Sequence, residues 1–304
     1  MPYLFLFYFY KIKMKSNYIL ILVSFLILID LSTPAKLPVA VIHGFMQICT
    51  SRDLTILVDF IHEKGDVYTR CIESGGGGLD LSTSFEDQAK KACEIISSDS
   101  QYQGDFAIVS ISQGGVLARY VIEKCQMTGH VKVFASIGGP LSGTHQLPHC
   151  QRGVTCHTLN SLVDWFVYKG YIQDSIGPAG YFRVSNHLDR YTDSKSLLLD
   201  INNQGENIDI NAKNRFSSLD LLILIAFKRD TMISPKESAH FGEYDEKHKV
   251  VDMKDTDIYK NDLFGLKTLD EANKIKKFWV DEVHCNYNFV DIDMYIIPYI
   301  RDNP

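Results

Sequence analysis

A serine at a sharp turn between a predicted strand and a predicted helix is the residue best suited to nucleophilic chemistry. In DFAIVSISQGGVLARY, the strand-forming residues stop at Ser112, and a helix-forming segment follows Gln-Gly-Gly. Such a turn holds a nucleophile in strained backbone geometry and packs strand against helix so closely that the flanking residues must be small. Gly114 and Gly115 meet this need, and Ser110 is the next smallest residue where the G-x-S-x-G pattern has glycine.

A serine hydroxyl becomes a nucleophile when a base accepts its proton and a carboxylate orients that base. Asp230 follows a strongly apolar strand pattern after two residues, at a strand end where parallel sheets assemble their sites. A turn or a helix cap is its alternative role. His284 follows another apolar stretch, whereas His240 and His248 follow no strand so directly. We therefore predict Ser112 as nucleophile, Asp230 as acid and His284 as base, a chain order typical of hydrolases with this turn.

Acyl transfer at a serine also needs two N–H donors directed at the oxyanion. The residue after the nucleophile, Gln113, supplies one by its position. The loop after the first predicted strand, IHGFMQ, is expected to supply the other from Phe45, because Gly44 allows close approach. We interpret His43 as a structural residue that anchors this loop.

The elements that would position these residues alternate between strands and helices. The predicted strands are 37–44, 66–73, 106–111, 131–139, 221–227 and 248–253. The predicted helices are 53–65, with Asp53 as cap, 84–98, with Ser84 as cap, 113–125, 269–278 and a closing segment at 293–300. This alternation predicts an α/β protein with a mostly parallel central sheet and helices on both faces. With the serine turn it predicts the α/β-hydrolase fold, and the region at about 140–218 breaks the alternation as an inserted cap would.

The first 35 residues have the pattern of a secretory signal peptide. Three lysines precede an apolar run at 18–29, and small residues follow it. Met14 is the favoured start, and a retained signal anchor is the alternative. The run is shorter than the ~20 apolar residues of a membrane span, so we expect no stable span in the mature protein. Residues 36–304 are predicted to form a single hydrolase domain.

Charge and cysteine content narrow the function classes. A net charge of −6 does not give the excess of positive charge that nucleic-acid-binding proteins need, so a nucleic-acid-binding function is excluded. The seven cysteines leave at least one without a partner in this chain. In the tract HQLPHCQRGVTCH, a Cys150–Cys156 disulfide is favoured over zinc, because the spacing fits no common finger and the secretory pathway is oxidising. We expect no metal and no cofactor.

Segments in a shared order resemble the palmitoyl-protein thioesterases, which are lysosomal α/β-hydrolases. The resemblance runs from Leu37 to the end and rests on LPVAVIHGF, SQGG, IGGPLSGTHQLPHC, LLLDINN, FKRD, HFGEY, FGLKTL and IIPYI. It implies the same three roles for Ser112, Asp230 and His284.

The resemblance also implies a disulfide pattern. It pairs Cys93 with Cys125, and Cys150 with Cys156. Family members often carry two adjacent cysteines after the His-Gly loop, but here Cys49 is followed by threonine. The resemblance leaves Cys49, Cys71 and Cys285 without assigned partners.

The implied substrates are palmitoyl thioesters of S-acylated proteins or peptides, or of acyl-CoA. A long acyl chain needs an apolar channel, in which each buried methylene contributes about 0.8 kcal/mol. We predict that the inserted region supplies it, chiefly through Trp165, Phe166, Tyr168 and Tyr171. A wider set of candidates comprises Leu162, Val163, Tyr181 and Phe182. The alternative is that these side chains only pack the cap against the sheet.

The residues by themselves lead only to a serine acyl hydrolase, because thioesters and oxyesters use the same triad. A secreted lipase or carboxylesterase on the same scaffold is therefore one alternative. A non-catalytic lipid-binding protein is another, although the presence of all three triad residues in order argues against it. The expected location is the secretory pathway, either the lysosome or the extracellular space.

Overall fold

The computed structural model describes residues 8–13, 18–23, 36–75, 77, 81–150, 153–205 and 208–301. The contacts divide the chain into two units, Met1–Ala35 and Lys36–Pro304. In the first unit, the strands Tyr8–Lys13 and Tyr18–Val23 pair antiparallel. The rest of the predicted signal peptide lies outside the described residues.

The described part of the second unit contains a six-stranded sheet in which every neighbouring pair is parallel. In chain order its strands are β1 (Val39–Ile42), β2 (Thr69–Ile72), β3 (Asp105–Ile111), β4 (His130–Ile137), β5 (Leu221–Phe227) and β6 (Ile275–Val280). Their order across the sheet is β6-β5-β4-β3-β1-β2. Because all six run the same way, their carboxyl ends lie along one edge, and side chains far apart in sequence can meet there.

Helices cover both faces of the sheet. They are α1 (Arg52–Gly65), α2 (Phe85–Ser98), α3 (Gly114–Lys124), α4 (Val154–Phe166), α5 (Gly170–Gln173), α6 (Leu188–Thr192), α7 (Leu197–Ile201), α8 (Ile210–Ser217), α9 (Asp257–Lys260), α10 (Leu266–Glu271), α11 (Phe289–Tyr295) and α12 (Ile297–Arg301). As predicted, Ser84 caps α2, accepting a hydrogen bond from the Asp87 N–H. Asp53, predicted as a cap, is instead the second residue of α1.

The core consists of two layers separated by the sheet. Along β5, every residue is buried, and successive side chains point to opposite faces. Leu222 and Leu224 pack in the layer that contains α2, α3, α7 and α8. Ile223 and Ile225 pack in the layer that contains α1, α11 and α12. Continuous apolar strands buried on both faces are typical of parallel sheets, and the predicted α/β fold, with a parallel central sheet and helices on both faces, is confirmed.

Two predicted elements are wrong. The segment 269–278, predicted as one helix, is helical only as far as Glu271, and Ile275–Val280 forms the edge strand β6. In strand β6, the apolar residues Ile275, Phe278 and Trp279 are spaced as on one face of a helix, which explains the wrong prediction. The lysines of β6 are typical of an exposed sheet edge. The predicted strand at 248–253 is reduced to Val250–Val251, which pairs antiparallel with Glu243–Tyr244 outside the central sheet.

In its described residues, the segment 140–218, between β4 and β5, contains the α-helices α4 to α8. Four of these have eight residues or fewer, and none of the residues of α4 is buried. A bridge between Thr144 and Phe182 joins two parts of the segment. Within the part of the chain that the structure describes, helices are too short or too polar to traverse a bilayer.

Three disulfides connect these elements. Cys49–Cys71 links the loop after β1 to β2, a pair that the sequence left unassigned. The other two bonds are those that the resemblance implies. Cys93–Cys125 links α2 to the end of α3, and Cys150–Cys156 links the segment before α4 to the first turn of α4. Cys150 and Cys156 are therefore not free to bind zinc as thiolates.

Candidate active site

Ser112 lies at the turn between β3 and α3, and its backbone has the left-handed φ of 50°. The glycines that follow allow this turn. A Cβ atom at Gly114 would lie 2.6 Å from the carbonyl oxygen of His43, and one at Gly115 would lie 2.9 Å from Ser136 Oγ. Both distances are far below van der Waals contact, so only glycine lets α3 start this close to the sheet.

Ser110, which stands where the G-x-S-x-G pattern has glycine, is fully buried in β3. Its hydroxyl donates a long hydrogen bond, 3.4 Å, to the carbonyl oxygen of Ala135 on β4. The extra hydroxymethyl group therefore fits inside the sheet with its polar atom partnered, and the turn at Ser112 is preserved.

The structure brings Ser112, His284 and Asp230 together at the carboxyl ends of β3, β6 and β5. His284 Nε2 lies 2.9 Å from Ser112 Oγ, and His284 Nδ1 lies 2.6 Å from Asp230 Oδ2. The other carboxylate oxygen of Asp230 accepts hydrogen bonds from the N–H groups of Met232 (2.7 Å) and Ile233 (3.0 Å). These bonds fix the carboxylate, which orients the imidazole toward the serine.

Gly138 makes room for the histidine loop. Strand β4 lies between β3 and β5, so the loop from β6 must pass over its end to reach Ser112. Gly138 follows β4 with φ of 64°, and a Cβ there would lie 3.3 Å from His284 Cε1 and 3.1 Å from Cys285 Sγ. Sequence analysis missed this role, although the Gly-Gly pair directly after a predicted strand is a signal for it.

Opposing effects act on the proton affinity of His284. Burial lowers the pKa of its imidazole, but the neighbouring Cys285 sulfur and the hydrogen bond to the Asp230 carboxylate raise this pKa more, so the net shift is upward. Cys285 is the free cysteine, and its thiol contacts the Ile137 carbonyl oxygen at 3.6 Å. Ser112 N–H donates to the same oxygen at 2.9 Å, so one carbonyl contacts both the serine turn and the histidine loop.

The loop predicted to donate to the oxyanion lies next to Ser112. A Cβ at Gly44 would lie 3.1 Å from Ser112 Cβ, so this glycine allows the close approach. Gly44 N–H donates to Gln47 Oε1 at 2.8 Å, which shapes the loop. Phe45 and Met46 line the same cavity as Ser112.

Polar contacts hold the side chains of Gln113 and His43 in place near the turn. Gln113 is buried; its amide donates to Gln88 Oε1 and accepts from the Tyr181 hydroxyl, each at 3.1 Å. His43 contacts the Gly44 carbonyl oxygen at 2.9 Å and a carboxylate oxygen of Glu73 at 3.1 Å. These contacts agree with a structural role for His43 in the loop.

An apolar cavity of about 640 Å³ opens beside Ser112. Its volume lies within the range of about 300–1,000 Å³ that small-molecule sites occupy. Most of its walls come from the 140–218 segment, including Leu147, Leu162, Val163, Phe166, Val167, Ile172, Ile176, Ala179, Tyr181 and Phe182. Met232 and Ile233, which lie two and three residues after Asp230, add to the wall, and neither was among the predicted residues.

The four residues predicted to contact an acyl chain have different surroundings. Phe166 lines the cavity, whereas Trp165, Tyr168 and Tyr171 do not. On α4, the cavity side is formed by Leu162, Val163 and Phe166, because residues four apart share a helix face and Trp165 is turned away from them.

The three residues that do not line the cavity make other contacts. Trp165 is 58% exposed and lies near the side chains of Lys169 and Arg190. The Tyr168 hydroxyl accepts a hydrogen bond from the Val184 N–H at 2.7 Å and packs within the segment. Tyr171 is 63% exposed. All four residues of the wider set, Leu162, Val163, Tyr181 and Phe182, do line the cavity.

The chain is similar in sequence to a family of known enzymes. The profile of the family described as Palmitoyl protein thioesterase matches residues 38–284. Lysosomal thioesterase PPT2-B of Xenopus laevis is 30% identical over 275 residues, 88% of this chain and 92% of that protein. Palmitoyl-protein thioesterase 1 of Caenorhabditis elegans is 28% identical over 259 residues, 82% of this chain and 86% of that protein. Palmitoyl-protein thioesterase 3 of Dictyostelium discoideum is 26% identical over 290 residues, 93% of this chain and 96% of that protein.

Proposed function

Because this chain belongs to the palmitoyl protein thioesterase family, it is a thioester hydrolase, and we propose that it removes palmitoyl and similar long acyl groups from S-acylated proteins or peptides. We assign Ser112 as nucleophile, His284 as general base and Asp230 as the orienting acid. Acyl-CoA, a thioester of the same chemical class, is a further candidate substrate. The reaction uses side chains and water and needs no cofactor.

The observation that carries this proposal is the position of one hydroxyl. Ser112 Oγ lies 2.9 Å from His284 Nε2 and at the wall of an apolar cavity of about 640 Å³. The histidine supports activation of the serine, and the cavity supports an acyl chain as the group that is held. Each methylene that leaves water contributes about 0.8 kcal/mol, so such a cavity can bind a long chain without polar contacts.

In the acylation step, Ser112 Oγ attacks the thioester carbonyl carbon while His284 Nε2 accepts its proton. The carbonyl oxygen becomes an oxyanion, which the N–H groups of Phe45 and Gln113 would stabilise. In other serine hydrolases, loss of one such donor costs about 2.7–4 kcal/mol in the rate. The Asp230 carboxylate stabilises the imidazolium that forms.

Collapse of the tetrahedral intermediate expels the substrate's sulfur and leaves the acyl group on Ser112. A cysteine thiol has a pKa of about 8.5, so its thiolate is a better leaving group than an alkoxide. The imidazolium of His284 returns the proton to the departing sulfur. A water molecule then attacks the acyl-enzyme, with His284 again as base, and releases the free fatty acid.

We further propose the domain organisation and location that the sequence predicts. Residues 36–304 form one hydrolase domain in which about 140–218 is an inserted cap, and residues 1–35 are a secretory leader. The cap assignment is supported by the cavity walls, most of which come from that segment. Lysosomal thioesterase PPT2-B, one of the relatives named above, supports the secretory pathway, with the lysosome or the extracellular space as destination.

Turnover of a palmitoylated cysteine peptide tests the proposal. The wild-type protein should release palmitate, and Ser112→Ala should lower kcat by about 10⁴-fold or more. Ser110→Ala is the matched control, because it removes a neighbouring serine hydroxyl that does not contact His284, and it should keep most of the activity. Wild-type protein without turnover, or Ser112→Ala with normal turnover, would contradict the assignment.

The alternative functions give different results in the same assay. A lipase or carboxylesterase would hydrolyse a matched palmitoyl oxyester faster than the thioester. A lipid-binding protein would bind the peptide with no turnover. We expect this protein to hydrolyse the thioester faster than the matched oxyester.

A further inference from the structure

Helix α4 exposes apolar side chains that a surface helix normally buries. None of its residues is buried, and Leu162 is 51% exposed, Trp165 58% and Phe166 42%. Tyr171, which follows in α5, is 63% exposed. A cluster of large apolar side chains in water is unfavourable unless another surface covers it, so such patches mark sites of interaction.

This exposed surface continues into the cavity. Leu162 and Phe166 both line the cavity and remain exposed at its rim. Met46 and Leu81, from outside the 140–218 segment, also line the cavity and are 50% and 51% exposed. We call the six exposed residues Met46, Leu81, Leu162, Trp165, Phe166 and Tyr171 the mouth patch.

Cationic side chains flank the aromatic part of the mouth patch. Lys169 Nζ lies 5.9 Å from the Trp165 ring centroid, and the guanidinium carbon of Arg190 lies 5.3 Å from it. Tryptophan and tyrosine with neighbouring lysine and arginine are characteristic of the membrane–water interface, where the rings sit at headgroup level and the cations contact phosphates.

The chemistry of the substrate points to the same partner. A palmitoyl chain exposed to water costs about 0.8 kcal/mol per methylene, so S-acyl chains reside in lipid until an enzyme takes them up. An apolar rim in contact with lipid would let the chain move from the bilayer into the cavity without crossing water.

We propose that the mouth patch docks this protein onto lipid bilayers, with α4 lying on the surface and the cavity opening toward the acyl chains. This inference rests on the proposed function, since the patch surrounds the cavity assigned to the acyl group. Phospholipid headgroups contact Lys169 and Arg190, and the exposed apolar side chains enter the headgroup region.

Tryptophan fluorescence gives a direct test, because the chain has two tryptophans, Trp165 and Trp279. Trp279 lies on β6 and does not line the cavity, so Trp279→Phe leaves Trp165 as the single reporter. Vesicles of phosphatidylcholine and phosphatidylserine in equal parts should shift its emission to shorter wavelength, and brominated lipid should quench it. Unchanged emission would overturn the proposal.

Vesicle sedimentation gives a test with matched variants. Trp165→Glu combined with Tyr171→Glu should weaken binding to the same vesicles by at least about tenfold, because two exposed rings no longer enter the interface. The control is Val290→Glu combined with Met294→Glu. These residues of α11 are 64% and 59% exposed and do not line the cavity, and their replacement should leave binding unchanged.

Turnover of a soluble acyl-peptide separates this inference from the proposed function. The Trp165/Tyr171 variant should keep this turnover, since neither residue lines the cavity. Normal turnover with unchanged vesicle binding would overturn the docking surface and leave the proposed function intact. A wild-type dimer in solution that this variant dissociates would also overturn it, because a second copy would then cover the patch.

Discussion

Ser112 and Phe166 both line the apolar cavity, but the regions that carry them are built in opposite ways. The region around Ser112 consists of strand ends, where backbone hydrogen bonds and two side-chain contacts, Ser112–His284 and His284–Asp230, hold the side chains in place. The 140–218 segment that carries Phe166 consists mainly of short helices, and its first helix, α4, buries no residue.

The difference matches two separate tasks. Bond-making needs a nucleophile, a base and an acid held at defined distances, and buried parallel strands provide that rigidity. Holding an acyl chain needs volume and apolar surface, for which the position of individual atoms matters less. Changes at the strand ends should therefore affect turnover of every acyl chain, whereas changes in the segment should affect long chains.

Asp230→Asn should have the largest effect, lowering kcat by about 10⁴-fold for short and long acyl thioesters alike. It should also move the ascending limb of the pH profile of kcat/KM to lower pH. The Asp230 carboxylate raises the pKa of His284, so its loss lets the neutral, proton-accepting imidazole form at lower pH. Steady-state kinetics with acetyl and palmitoyl thioesters at several pH values measure both. A limb that moves to higher pH would contradict this assignment.

Removal of disulfides should destabilise the two regions unequally. Cys93–Cys125 spans 32 residues and Cys150–Cys156 spans 6, and the loss of chain entropy grows with the length of the closed loop. Replacing the first pair by alanine should cost about 3–4 kcal/mol of unfolding free energy, and replacing the second about 2 kcal/mol. Urea titration measures the unfolding free energy of each variant. An equal loss for the two disulfides would contradict this prediction.

Glycine-to-alanine changes should give opposite signs in the two regions. At Gly114, the new methyl group would clash with backbone atoms of β1 and the following residue, and we expect a cost of about 1–3 kcal/mol. At Gly170, the first residue of α5, an added Cβ would have no atom within 4 Å other than those of its own chain neighbours and helix backbone. Alanine there should therefore stabilise the protein by about 0.5–1 kcal/mol. Thermal unfolding compares the two variants, and destabilisation of similar size at both would contradict the prediction.

Phe166→Ala should have the smallest effect on activity and the clearest dependence on chain length. Phe166 is 42% exposed, so its truncation removes part of one wall and should lower kcat/KM for a palmitoyl peptide by about tenfold. An acetyl thioester should react as before. Trp165→Ala is the matched control, because Trp165 does not line the cavity, and soluble substrates of either length should be unaffected.

The sequence predicted those features that depend on neighbouring residues. The serine turn was recognisable because strand, small residues and helix follow one another within one short stretch. The edge strand β6 was missed because Ile275, Phe278 and Trp279 mimic helical spacing. The Cys49–Cys71 pair was missed because those residues approach only when β1 and β2 pair in the sheet.

By itself, the sequence determined the fold class, the turn at Ser112 and the order of candidate triad residues, since these depend on local patterns of apolar, small and polar side chains. The tertiary structure alone decided that His284 crosses the end of β4 at Gly138, and that Phe166 rather than Trp165 faces the cavity. The physical reason is that the approach of distant loops and the rotation of a helix are set by packing against the rest of the chain, which no local pattern contains.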